Sequence, residues 1–293
     1  MGKFWRLWRL YAEALLRSEF AGGVWRRVWL DDIPGRAAQL SYYFLLSLFP
    51  LLIFLSALLG YFFAAETGLE HGLLQRLGEI MPSAAYDVVK AAADDLLRTR
   101  GGGKLSFGLL VALWLASSGM EALIEGLNVA FQVPEARPWW RRRLVALSLT
   151  ITVALLTGCA LVLALAGGSG GRYVSGLVGL SEVWGPVWHA TQWVASVVFL
   201  LLAIGLVYLF GPNLKARRRT QVIMPGALVA LVCWITASAG LRLYLDHFSS
   251  FGKTYGSLGA VIALLLWLYL SGAALLLGAE INSGIQGRLN PGR

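Results

Sequence analysis

Apolar residues run along this chain in six long blocks, near 37–64, 105–130, 144–167, 187–211, 222–245 and 257–280, separated by polar connections. About 20 apolar residues in a helix cross the hydrocarbon of a bilayer, and each block is long enough. Inside lipid a helix satisfies every backbone polar group internally, so the pattern predicts six helical spans. The membrane domain is placed at 31–285, with an N-terminal segment 1–30 and a short tail 286–293.

The polar stretches have patterns of their own. In KFWRLWRLYAEALLRSEF, Phe4, Leu7, Trp8, Tyr11 and Leu15 repeat at helical spacing, with Lys3, Arg6, Arg9 and Arg17 elsewhere on the wheel. This predicts an amphipathic helix lying in the membrane interface and drawn to anionic lipid; binding to a partner helix is the competing reading. No uninterrupted apolar core follows its charges, so it does not read as a signal peptide. The first loop, 65–104, holds two short amphipathic patterns, Leu73, Leu74, Leu77, Ile80 and then Val88, Val89, Ala92, Leu96. Arg100-Gly101-Gly102-Gly103 reads as a flexible joint, and Gly167-Gly168-Ser169-Gly170-Gly171 as a turn.

Composition supports a lipid-dissolved protein. The chain is 57% hydrophobic and only 14% charged, where soluble domains average about 25% charged residues. Cys159 and Cys233 both fall in apolar runs and match neither a disulfide framework nor a metal motif. The net charge of +9 matters less than its placement: assigning connections to alternate sides puts 17 of the 25 basic residues on one side. They lie in the N-terminal region, at Arg137 and Arg141–Arg143, at Lys215 and Arg217–Arg219, and at Arg288 and Arg293. The positive-inside rule then places both termini in the cytoplasm. Trp25, Trp29, Trp139 and Trp140 fit the aromatic belt on that side, and Trp184 and Trp188 the outer one.

The second span carries the candidate chemistry. Trp114, Ser118, Glu121, Glu125 and Asn128 follow i, i+4, i+7 steps and share one helical stripe. A carboxylate at the centre of a membrane helix costs about 2.5–3.5 kcal/mol, so these acids must face the bundle interior or a watery cleft. The sixth span ends in GAEIN and sets Glu280 and Asn282 at a comparable depth; its SLG…W…SG…E.N order faintly echoes the second span. Basic partners are near in sequence: Glu135, Arg137 and Arg141–Arg143 follow directly, and Arg36 opens the first span. An acid–arginine cluster between spans 1, 2, 3 and 6 would offset the desolvation. It reads either as a lock on helix register or as a polar cavity for a headgroup, ion or proton. Pro50, near the middle of the first span, predicts a kink or hinge. His71, His189 and His247 have no metal-ligand spacing, and no nucleotide-binding loop, nucleophile elbow or HExxH is present.

Three stretches carry a family resemblance: AAQLSYYFLLSLFPLLIFLSALLGYF at 37–62, SFGLLVALWLASSGMEALIEGLNVAFQVPEARPWWRRR at 106–143, and YGSLGAVIALLLWLYLSGAALLLGAEIN at 255–282. Together they resemble the bacterial inner-membrane YihY / virulence factor BrkB family, some of whose members carry the name ribonuclease BN. The resemblance implies six spans with cytoplasmic termini in the inner membrane, and links to ribonuclease activity, to resistance against host killing, or to export of envelope lipid. Acids set beside arginines in or near a membrane fit phosphodiester hydrolysis poorly. The expectation is therefore an all-α integral membrane protein that is not an enzyme, needs no cofactor or metal and binds no nucleic acid. It would bind or transport anionic lipid or another amphiphile through a cytoplasm-facing cleft. In that cleft Arg137, with Arg36 or Arg142, would hold phosphate. Glu121, Glu125 and Glu280 would position the arginines, with Asn128, Glu135 and Asn282 completing the lining. The alternatives are a membrane-bound ribonuclease and a structural partner in an envelope assembly.

Overall fold

The computed structural model describes residues 18–63, 102–178, 184–214, 223–247 and 257–289. Among them every regular element is an α-helix: α1 (Ser18–Leu30), α2 (Ile33–Phe63), α3 (Gly102–Ala130), α4 (Trp139–Val178), α5 (Trp184–Phe210), α6 (Met224–His247) and α7 (Ser257–Leu289). Five of them, α3 to α7, are long and apolar enough to cross a membrane. The helix α2, 31 residues long, coincides with the first apolar block. The described part of α1 is 13 residues, fewer than a span needs. The amphipathic pattern before Ser18 and the short helices expected in the first loop lie outside the described residues.

Two glycine-based expectations are corrected. The helix α4 runs unbroken through Gly167–Gly171, where a turn was expected, and α3 already begins at Gly102 inside the expected joint. Glycine weakens a helix in water because solvent competes for its backbone. In an apolar solvent the unpaired peptide group is the worse alternative, and the helix persists.

Local signals set the helix ends that matter for the site. Asp32, in the left-handed region at φ 48°, separates α1 from α2. Its carboxylate accepts the Gly35 N–H at 3.2 Å as an N-cap. The end of α3 is a Schellman motif: the Val133 N–H reaches the Asn128 carbonyl at 2.9 Å and the Gln132 N–H the Val129 carbonyl at 2.8 Å. Gln132 takes the left-handed position, φ 51°, that glycine usually fills.

The chain forms two compact units, and α2 to α5 each contribute one part to either. The first contains residues 1–48, 117–147 and 205–293. Within it α6 and α7 pack at very short range, because Gly226 and Gly278 face each other's carbonyls with no room for a Cβ. The same pair carries a reciprocal polar lock: the Trp234 indole N–H donates to Ser271 Oγ and the Trp267 indole N–H to Ser238 Oγ, both at 3.0 Å. The Tyr208 hydroxyl donates to the Leu275 carbonyl at 2.5 Å. The helix α1 lies against α7 through Phe20 and Val24 on Ile281 and Ile285.

The second unit comprises residues 49–116 and 148–204. There Ser196 Oγ, on α5, lies 3.0 Å from the Ala160 carbonyl of α4, and small buried residues such as Ala154, Ala160 and Ala203 mark close packing. In both units large side chains face outward: Val194 in the second, and Val232 and Leu243 in the first, are 60% exposed or more. Apolar exposure on this scale is ordinary against lipid and unusual against water.

The Gly226–Gly278 contact yields a first expectation. Gly278→Ala forces α6 and α7 apart and costs about 1–3 kcal/mol, read as a lower thermal midpoint in detergent. Gly240→Ala, where a Cβ meets open space, serves as control and leaves the midpoint in place. Equal midpoints for both variants would mean that the contact does not set the helix spacing.

Candidate functional site

The short connection 131–138 turns the chain back, so that the end of α3 faces the start of α4. Glu121 and Glu125 lie one turn apart on α3 and meet consecutive arginines on α4. Arg142 donates from Nε to Glu121 Oε1 at 2.8 Å, its Nη2 lies 2.7 Å from the same oxygen, and its Nη1 donates to Glu125 Oε1 at 3.0 Å. Arg143 Nη1 donates to Glu121 Oε2 at 2.6 Å, with Ser118 Oγ alongside. Two carboxylates and two guanidiniums form a neutral quartet, which is how α3 tolerates its acids. The quartet opens outward by degrees: the side chains of Arg143, Glu121, Arg142 and Glu125 are 7%, 15%, 24% and 49% exposed. Beside it Trp139, Trp140 and Arg141 are exposed, with the Arg141 guanidinium 5.8 Å from the Trp140 ring centroid.

One turn further along α3, a second assembly begins. Asn128 Nδ2 donates to Glu135 Oε2 at 2.8 Å, and Asn128 Oδ1 accepts the Asn213 backbone N–H at 2.8 Å. Glu135 receives Arg137 bidentately, Nε to Oε1 at 2.8 Å and Nη2 to Oε2 at 2.7 Å, and also takes the Arg137 backbone N–H. Arg137 then reaches the carbonyls of Phe210 at 3.4 Å and Gly211 at 2.7 Å, satisfying the C-terminal end of α5. Burial pushes the Glu135 carboxyl up, but the hydrogen bonds from Arg137 and Asn128 and the Arg137 charge outweigh it. The net effect holds Glu135 below the usual glutamate range.

The remaining predicted residues are placed elsewhere. Asn282 accepts the Gly226 N–H at 2.8 Å and donates to the Ile223 carbonyl at 3.1 Å, capping α6 from across the helix pair. Glu280, fully buried, pairs with Arg27 of α1 at 3.5 Å. Arg36 donates to the Asp31 carbonyl at 3.0 Å, closing the α1–α2 turn. Pro50 lies inside α2, which is helical on both sides of it, next to the division between the two units at Leu48 and Phe49.

The single cluster expected from sequence is therefore three assemblies. Glu121, Glu125 and Arg142 come together; Asn128, Glu135 and Arg137 come together; and Glu280 joins α1. The two arginines expected to hold phosphate, Arg137 and Arg36, both have protein partners. Arg137 spends its donors on Glu135 and two carbonyls, and Arg36 serves a backbone turn. Sequence reasoning missed Arg27, Asp31 and Asn213 as site residues and left Arg143 out of the set. The one available signal was the i, i+4 spacing of Arg27 and Asp31 ahead of the first span.

Long apolar helices with ion pairs matched at their ends define a multi-span helical membrane protein. A profile of the Virulence factor BrkB family matches residues 24–293, and the chain belongs to that family. Among relatives, a protein of Bacillus subtilis named as ribonuclease-like, YfkH, is 38% identical over 90% of this chain and 94% of its own length. A UPF0761 membrane protein of Tolumonas auensis is 27% identical over 95% of this chain and 88% of its own. Another UPF0761 membrane protein, of Xanthomonas campestris, is 28% identical over 92% of this chain and 61% of its own. No solved structure matches.

The clamp around Glu135 makes two predictions. Arg137→Ala leaves a poorly solvated carboxylate and two open carbonyls, and lowers stability by about 3 kcal/mol, measured as detergent-solubilised thermal unfolding; a change within error would show the clamp to be idle. Because Glu135 is held below its usual range, its contribution is complete above that range and fades as pH falls through the lowered value. The gap in thermal midpoint between wild type and Glu135→Gln should therefore narrow on acidification, and a gap that widens contradicts the clamp.

Proposed function

We propose that this protein is a multi-span protein of the bacterial inner membrane, with both termini cytoplasmic, that binds anionic lipid or another anionic amphiphile of the cell envelope. The binding site is the outward edge of the quartet at the start of α4. The observation that carries this reading is the graded exposure of Arg142 and its partners. The guanidinium is anchored on Glu121 yet shares its outer nitrogen, Nη1, with a half-exposed Glu125. An incoming phosphate displaces Glu125 from Nη1 and gains a bidentate guanidinium contact. The exposed Trp139 and Trp140 support the same reading, since such rings settle at headgroup level, and Arg141 adds a second charge to the rim. The asymmetry of basic residues along the chain supports placing this rim on the cytoplasmic side.

The site predicts opposite effects for two neighbouring substitutions. Arg142→Gln leaves Glu121 paired with Arg143, so the protein folds but retains anionic lipid about tenfold less, roughly one charge-assisted contact. Glu125→Gln removes the competing carboxylate and strengthens retention. Native mass spectrometry of gently purified wild type and both variants, with anionic and zwitterionic lipid offered together, reads this directly. Equal lipid retention in all three folded proteins would leave the quartet a helix lock only.

A further inference from the structure

A second polar centre, separate from the headgroup site and independent of that reading, lies where α1 meets α7. Glu280 is completely buried, and neither carboxylate oxygen receives a hydrogen bond from a donor among the described residues. The Asp31 carboxyl lies within hydrogen-bonding reach of it, and Asp31 Oδ2 is likewise buried without a donor. Among the described residues the one facing cation is Arg27. Its Nη2 is spent on the Glu280 backbone carbonyl at 3.1 Å, and its Nε stands 3.5 Å from Oε2 without a hydrogen bond.

With every group ionised, two carboxylates and one guanidinium carry a net charge of −1 around a Glu280 side chain that is itself closed to solvent. Two ionised carboxylates at this range repel, and both can only accept. One proton changes this: it turns one carboxyl into a donor to the other and leaves the trio neutral beside Arg27. Among the described residues no other charge is placed to do so. Arg36 is engaged with the Asp31 backbone carbonyl, and the Asp32 carboxylate with the Gly35 N–H. From α6, the groups that close on this end of α7 are Gly226 and the Ile223 carbonyl, both held by Asn282. Arg242 and His247 stand toward the other end of that helix.

We propose that Asp31 and Glu280 form a proton-binding site, holding one shared proton against the Arg27 charge while α1 is docked on α7. Undocking exposes both acids to water, where at neutral pH both ionise and the proton leaves. The docked state binds one proton more than the undocked state, so docking weakens as pH rises, by about tenfold per pH unit wherever the undocked pair is ionised and the docked pair protonated. The apolar contact of Phe20 and Val24 with Ile281 and Ile285 is the part of the docked arrangement that this proton sustains.

The test uses the full-length protein in lipid nanodiscs and two readings. Infrared spectroscopy at neutral pH should show a protonated carboxyl band in wild type that shifts in deuterated buffer. The band should vanish in both Glu280→Gln and Asp31→Asn, since either change leaves the remaining acid ionised against Arg27. Hydrogen exchange of the α1 amides, corrected for the intrinsic rate, should show protection falling with pH in wild type and independent of pH in Glu280→Gln. Should Glu280→Gln fail to fold, Asp31→Asn, at a partly exposed position, provides the same comparison. Absence of the band in wild type, its survival in both variants, or an α1 protection equally pH-dependent in wild type and variants would overturn the proposal.

Discussion

A charge on a membrane helix has to be matched where it stands, because no water arrives to do it, and the polar architecture of this protein follows from that constraint. Acids on α3 and α7 meet guanidiniums supplied by the neighbouring element: Glu121 and Glu125 by α4, Glu280 by α1. Each match decides which helix ends must be adjacent. An arginine serves better than a lysine in these positions, since its planar fork occupies a carboxylate and still has nitrogens left for a carbonyl or a second acid. Arg137 uses that capacity on Glu135 and the end of α5, and Arg142 on two glutamates at once.

The two asparagines show the same logic applied to backbone. Asn128 takes the Asn213 N–H just after α5, and Asn282 takes the Gly226 N–H in the first turn of α6. Between them they hold both ends of the connection that carries Lys215 and Arg217–Arg219. The faint similarity between the ends of the second and sixth spans thus acquires a physical content: each ends in an amide side chain that reaches across to pair a helix terminus. An amide suits this work because it donates and accepts at once and carries no charge that itself needs matching.

The polar centres differ in how completely they are matched, and the proposed chemistry follows that difference. Around Glu135 the described donors and acceptors are paired, and such a network holds geometry. At the quartet the outermost acid is half exposed, so its contact with Arg142 is open to competition from a ligand. At Glu280 the pairing is short by one donor although the side chain is wholly buried. A buried group left short of partners is costly, which is the ground for assigning a proton to that centre.

The sequence by itself determined the solvent, the number and position of the apolar blocks, and the stripe of acids on α3, because these depend on residue type and on the 3.6-residue period alone. It also pointed to the Pro-Glu-x-Arg turn, whose partners are two residues apart. It could not say which guanidinium each acid would choose. Arg36, Arg137, Arg142 and Arg143 are all within reach on a linear count, and the choice rests on which nitrogen arrives within 3 Å after the helices pack. Nor could it foresee that Arg27 and Asp31 would meet Glu280, some 250 residues away along the chain, since that pairing exists only once α1 folds back onto α7. The glycine runs were misread for a related reason: their preference for turns is a property of chains in water, and only the packed, lipid-embedded helix decides that the backbone bond wins.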